Sequence, residues 1–235
     1  MPGLMGMFET FLRSFRTLAF AALLSPLIIL CAAAMALAAT PSVLFFQFMD
    51  ELTVNSHYLV RAFGFAFSIS FGYVIYGFCI IFVVPAINFL LPLRIRPWKG
   101  IWYSLQSIPW FVHNALTYIV RYTFLEFLTP SPLNVLFYKM MGMKVGKGVI
   151  INSTNISDPA LITLGDYVTV GGSAHIFAHY GQKGILIMAP VIIKDRVTVG
   201  LKASIMGDVI VEEGAIVKPH TVLLPKSRVA AGTSV

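Results

Sequence analysis

Two histidines stand four residues apart in "VGGSAHIFAH" (170 to 179), His175 and His179, the second of which opens the short polar stretch "HYGQKG". Imidazole ordinarily titrates near neutrality, so either can take a proton from a hydroxyl or amine that attacks a carbonyl. The two cysteines, Cys31 and Cys79, lie in apolar runs, which fits neither a disulfide framework nor an active nucleophile. The formal net charge of +7 comes largely from basic residues beside apolar runs, where membrane orientation accounts for them. No nucleic-acid-binding motif is present, and nucleic acid is not an expected partner.

The elements that must position these histidines announce themselves by period. Val199, Ile205, Val211, Val217, Leu223, Val229 and Val235 recur at every sixth residue. Helices repeat at 3.6 and strands at two, whereas six fits a parallel β-helix in which three hexads complete one coil. Small or β-branched residues such as Val197, Ala203, Val209 and Ala215 fill the remaining inward positions, and Gly165, Gly171, Gly200 and Gly214 suit the corners. Hexads counted backward from Val199 begin at Ile193 and Ile187; those counted forward begin at Leu164, Val170 and Ile176. The two series differ by five residues, so an insertion between about residues 178 and 186 must project outward, as functional loops on such scaffolds do. Faces assigned in order put Ile176, Val199 and Val217 on one side, stacking His179, Lys202 and His220 outside. Coils lie about 4.8 Å apart, which separates His179 from His220 by about 10 Å. Metal ligands converge to about 2.1 Å, so no zinc site is expected within one chain. What remains open is His175 with His179 and a ligand from another chain.

The stretches "DPALITLGD" (158 to 166), "VGGSAHIFAH" and "APVIIKDRVTVG" (189 to 200) resemble the left-handed β-helix, hexapeptide-repeat acyltransferases. More narrowly, they resemble the membrane-spanning subset that includes the terminal domain of the ε-poly-lysine synthetase. The resemblance implies a left-handed solenoid, a homotrimer, and acetyl-CoA or another acyl thioester as co-substrate. It also implies that the histidine before the projecting loop is the base. That is His179, with His175 the competitor at a hexad's last position near a corner. A backbone N–H at Gly200 or its neighbours in the next coil is expected to meet the thioester carbonyl, and Lys202, Lys218, Lys226 and Arg228 to meet coenzyme A phosphates. The family's acidic residue after the histidine is Gln182 here. The alternative is a non-catalytic trimeric scaffold, against which the interruption beside His179 speaks.

The first half is of another kind, within a chain that is 57% hydrophobic and only 11% charged. The run 17 to 39 is long enough to span a bilayer, although Arg13, Arg16 and "ALAAT" also suit a cleaved signal peptide. The run 59 to 91 spans with tilt, and Pro85 is expected to kink it near its end because proline removes a helix hydrogen bond. Basic residues at 13, 16, 94, 96 and 99 flank the pair, while Asp50 and Glu51 fall in the loop between. Both termini and the β-helix are therefore expected in the cytoplasm. The third apolar segment (101 to 128) carries Pro109, His113, Arg121 and Glu126, and reads as interfacial or re-entrant. In it Arg121 is expected to anchor to headgroups, or to line a polar pocket with His113. The fold class is thus membrane helices over residues 1 to 138 and a left-handed β-helix over 139 to 235. An amphiphilic or lipid-linked acceptor is expected, its tail beside Trp98, Trp102 and Trp110.

Overall fold

The computed structural model describes residues 6–7 and 15–235. Helix α1 (Arg16–Thr53) and helix α2 (Tyr58–Leu90) form an antiparallel hairpin. Small residues let the two backbones approach: the Ser42 hydroxyl donates to the Gly72 carbonyl at 2.7 Å, and Gly64 lies against Thr53. Asp50 and Glu51, expected in a loop, belong to the last turn of α1, and the connection is only residues 54–57. The helix continues past the apolar run, and there Arg61 of α2 pairs with Asp50 at 3.0 Å. Arg13 lies outside the described residues.

After α2 come strand β1 (Trp98–Ile101), a 3-10 turn (Leu105–Ser107), helix α3 (Ile108–Val120), a π-turn (Arg121–Leu125) and helix α4 (Pro132–Met140). Helix α3 buries Val112, His113, Asn114, Leu116, Thr117 and Val120, and so wedges between the hairpin and the solenoid. Arg121 is held there too. Its guanidinium donates to Asn155 of the solenoid and lies 5.0 Å from the Tyr122 ring.

From Lys144 the chain winds into coils whose short strands form three wholly parallel sheets, an arrangement that fits a left-handed β-helix. The first sheet holds β2 (Lys144–Val145), β5 (Ile162–Leu164), β10 (Val191–Ile193), β13 (Val209–Val211) and β16 (Arg228–Val229). The second holds β3 (Ile150–Ile151), β6 (Thr169–Val170), β11 (Thr198–Val199) and β14 (Ile216–Val217). The third holds β4 (Ile156–Ser157), β7 (His175–Phe177), β12 (Ser204–Ile205) and β15 (Val222–Leu223). The six-residue aliphatics point inward: Ile193, Val199, Ile205, Val211 and Val217 are fully buried. Helix α4 runs across residues 138 and 139, and one continuous core joins the helices to the coils.

The pairing corrects the expected register. Ile176 pairs with Ile205, and Val199 with Val170, so Ile176 and Val199 occupy different sheets. Ile176 and Ile193 are 17 residues apart where one hexad would span six, so the insertion is eleven residues long, and eleven and five differ by one whole face. Ile187, expected to open a hexad, instead lies in the inserted hairpin of β8 (His179–Gln182) and β9 (Ile185–Met188). Its turn residues Lys183 and Gly184 have φ of 51° and 76°, the left-handed pair that a two-residue hairpin requires. Strand β1 adds to β9 antiparallel, making a three-stranded sheet that stands off the solenoid.

Candidate active site

The corners set the columns. In each regular coil the residue three after the core aliphatic turns left-handed: Ser173, Lys202 and His220 form one such column, and Asp208 and Lys226 belong to another. His179 stands three after Ile176, at the start of this second column, where the hairpin departs from the coil. The expected stack of His179 with Lys202 and His220 is therefore corrected; Ser173 occupies the place in that column assigned to His179. The coil before His179 supplies Asp158, also left-handed with φ 60°. Short polar side chains tolerate that conformation better than most.

One coil spacing thus brings a carboxylate to an imidazole. His179 Nδ1 lies 2.5 Å from Asp158 Oδ2. The carboxyl group is fully buried, whereas the imidazole keeps 19% of its surface exposed. A carboxylate on Nδ1 fixes the proton there and leaves Nε2 as the acceptor, the form of histidine able to receive a proton. The other carboxylate oxygen accepts a hydrogen bond from Asn114 Nδ2 of α3 at 2.9 Å. The Trp110 ring meets the His179 ring edge to face at 5.1 Å, and Phe177 lies 5.6 Å away on another side. Trp102 packs on Trp110 at 5.4 Å and over Gly181 of the hairpin. Helix α3 and the segment that carries β1 therefore wall the histidine.

His113, on the same face of α3, pairs with Asn88 at 3.1 Å. Burial pushes its imidazole down to about 4 although Asp158 nearby opposes the shift, so at neutral pH it is uncharged. Between the hairpin and the later coils lies a groove of about 420 Å³, lined by Tyr180, Gln182, Met206, Leu224, Pro225 and Lys226. Gly207, where the next coil passes the base of the hairpin, would carry a Cβ only 3.1 Å from the His179 nitrogen. Its N–H donates to no described residue.

The candidate residues read from the sequence are thus partly gathered. His179 and Lys226 lie at the hairpin, His179 in the dyad and Lys226 in the groove. His175 is an exposed residue within β7, paired with Ser204, and not at a corner. Gly200, Lys202 and Lys218 belong to the column on the other side of the third sheet. The Gly200 N–H donates to the Val217 carbonyl at 2.8 Å, so it is not free for a substrate oxygen. Position 182 after the histidine is Gln, and the carboxylate that the structure places against His179 is Asp158, 21 residues earlier. No sequence pattern marks Asn114 or Gly207, and the one signal for Asp158 is an aspartate that opens "DPALITLGD".

No protein-family model matches the chain, and no curated protein matches it. Solved structures do. A serine acetyltransferase from Neisseria gonorrhoeae is 13% identical, with a TM-score of 0.40, over 68% of this chain and 51% of that one. A maltose O-acetyltransferase from Clostridium difficile 630 is 12% identical, with a TM-score of 0.42, over 59% of this chain and 87% of that one. A soybean serine acetyltransferase complexed with serine is 17% identical, with a TM-score of 0.34, over 75% and 72%. This chain spans about half the length of the gonococcal enzyme, and resemblances this remote add nothing to the geometry above.

Proposed function

We propose that the protein is a membrane-bound acyltransferase that moves an acyl group from a thioester to a hydroxyl or amine. The observation that carries this reading is the His179–Asp158 contact at 2.5 Å, with the carboxylate fully buried and Nε2 left to accept a proton. In the reaction, the acceptor's oxygen or nitrogen attacks the thioester carbonyl carbon as His179 Nε2 takes its proton. The tetrahedral oxyanion then collapses, the C–S bond breaks, and the imidazolium returns the proton to the departing thiolate. Gly207 replaces Gly200 as the backbone donor assigned to the oxyanion, since its N–H is uncommitted and adjoins His179.

Acetyl-CoA is the simplest donor. The groove offers apolar Met206, Leu224 and Pro225 to an extended arm and Lys226 to a phosphate. Gly200, Lys202 and Lys218 reach such a donor only from a second copy of the chain, so the reading includes a three-fold homotrimer with sites between subunits. Residues Leu24–Thr53 and Tyr58–Leu90 are long and apolar enough to cross a membrane. They expose Ile28, Ile29, Phe48, Phe63, Ile69 and Phe89, which favours lipid contact. With Arg94, Arg96 and Lys99 beyond α2, the β-helix is assigned to the cytoplasmic side. The acceptor is assigned as amphiphilic or lipid-linked, and the narrower kinship with the ε-poly-lysine synthetase domain is kept as a lead to amine acceptors.

The test is release of free thiol from acetyl-CoA by the full-length protein in nanodiscs, with alcohols and amines as acceptors. His179→Ala is expected to lower the rate by about 10²- to 10⁴-fold, the range for general-base catalysis, with an unchanged assembly size. Full activity in that variant removes the base and this reading with it.

A further inference from the structure

The dyad has a third member, and it comes from the helical half. Asn114 is 5% exposed and lies on the face of α3 that meets the solenoid. Its amide nitrogen makes two hydrogen bonds, to the Trp110 carbonyl at 3.0 Å and to Asp158 Oδ1 at 2.9 Å. Both partners are acceptors, so the amide has one sensible orientation; turned over, it would set oxygen against oxygen twice. The cost of that orientation is visible. Asn114 Oδ1 is buried with no hydrogen-bond partner among the described residues. A buried acceptor left unmet is unfavourable, and its retention needs an explanation beyond packing.

The charge around Asp158 supplies one. Buried carboxylates are held by hydrogen bonds or by opposite charge. Three polar side chains surround this one: His179 on Oδ2, Asn114 on Oδ1, and His113, whose imidazole is neutral and hydrogen-bonded to Asn88. Asn114 is therefore the donor that fixes the second oxygen, and with it the plane of the carboxylate that His179 meets. Accordingly we infer that Asn114 is a positioning residue acting through Asp158 on His179, so that the helical half completes the catalytic machinery and does not only anchor it. The inference rests on the acyltransferase reading for its consequence, but the hydrogen-bond chain itself can be observed without turnover.

Two measurements on the full-length protein in nanodiscs separate these. Nitrogen-15 histidine NMR reads the His179 tautomer and its Nδ1 proton, which in a short bond to a carboxylate resonates far downfield. Asp158→Asn, which keeps the shape, should remove that resonance, and Asn114→Ala should shift or broaden it in protein shown to be folded by an unchanged assembly size and a cooperative melting transition. An unshifted resonance in Asn114→Ala overturns the inference, whatever the activity. In thiol release from acetyl-CoA, Asn114→Ala should lower kcat about ten- to a hundredfold, the range for a lost hydrogen bond to a charged group, with KM little changed. In an Asp158→Asn background the same substitution should have almost no further effect, because both act through one carboxylate. Multiplying losses in the double variant overturn a positioning role, whereas full activity of His179→Ala overturns the enzymatic reading and leaves the NMR result standing.

Discussion

Gly207 lies where a single methyl group tells whether the base of the hairpin is tightly set. A Cβ there would stand 3.1 Å from both the Ala178 carbonyl carbon and the His179 nitrogen, and 3.2 Å from the Ala189 oxygen. All three are backbone atoms, so Gly207→Ala must displace the strands that carry His179 by a few tenths of an ångström. Misplacing a reacting group costs rate before it costs fold. We expect kcat/KM to fall by about tenfold or more, with a stability loss of about 1 kcal/mol, typical of mild overpacking. Steady-state kinetics and thermal unfolding of the same preparation check both. His179 was legible in the sequence because an imidazole directly precedes the break in the hexad register. Asp158 was not, because its contact depends on two irregularities at once. The coil from Ile156 to Ile176 takes 20 residues where three hexads take 18, and the eleven-residue insertion imitates one of five. Counting modulo six hides both, and only the pairing of strands shows which corner lies above which.

At the scale of elements, the hairpin β8–β9 is a lever with the histidine at its root and the helical half at its edge. Strand β1 pairs with β9 from Trp98 opposite Met188 to Ile101 opposite Ile185, and Trp102 then folds over the hairpin. The Trp102 ring would lie 2.9 Å from a Cβ on Gly181, and it leans on Trp110, which meets His179. A side chain at residue 181 therefore acts on His179 through two rings. Gly181→Ala should push Trp102 aside and weaken contacts of the kind worth about 0.5–1.5 kcal/mol. The expected outcome is a kcat/KM lower by about three- to tenfold, with a shift in tryptophan emission; unchanged emission and kinetics would mean that Trp102 is a passive cover. The hairpin could be anticipated from the broken period, but β1 could not. "WKGI" lies among basic residues that speak of membrane orientation, and its partner strand is more than eighty residues away, so no local pattern records the pairing.

For the molecule as a whole, composition separates an apolar half from a periodic one, but it does not reveal that the halves share a core or where they meet. They meet along α3, the π-turn and α4, and His179 lies on that seam. Helix α3 packs against α2 on one side and presents Trp110 and Asn114 to the dyad on the other. On the acyltransferase reading, a base at such a seam is poorly placed for a substrate that must arrive from bulk water alone, and well placed for one whose tail stays among the helices. Residues Leu24–Thr53 and Tyr58–Leu90 would measure about 45 and 50 Å as helices, ample for a hydrocarbon core of about 30 Å. An acceptor with an alkyl tail beside Trp98, Trp102 and Trp110 would bring its head group to Nε2 and gain about 0.8 kcal/mol for each methylene withdrawn from water. Even two or three such groups amount to roughly tenfold or more in affinity. We therefore expect kcat/KM in nanodiscs to be at least about tenfold higher for an alkylated acceptor than for the matched acceptor without a chain. The preference should shrink when Trp110→Ala alters the wall. Equal values for the matched pair would reduce the helical hairpin to an anchor, and would leave α3 and the segment that carries β1 as the parts of that half with a stake in the chemistry.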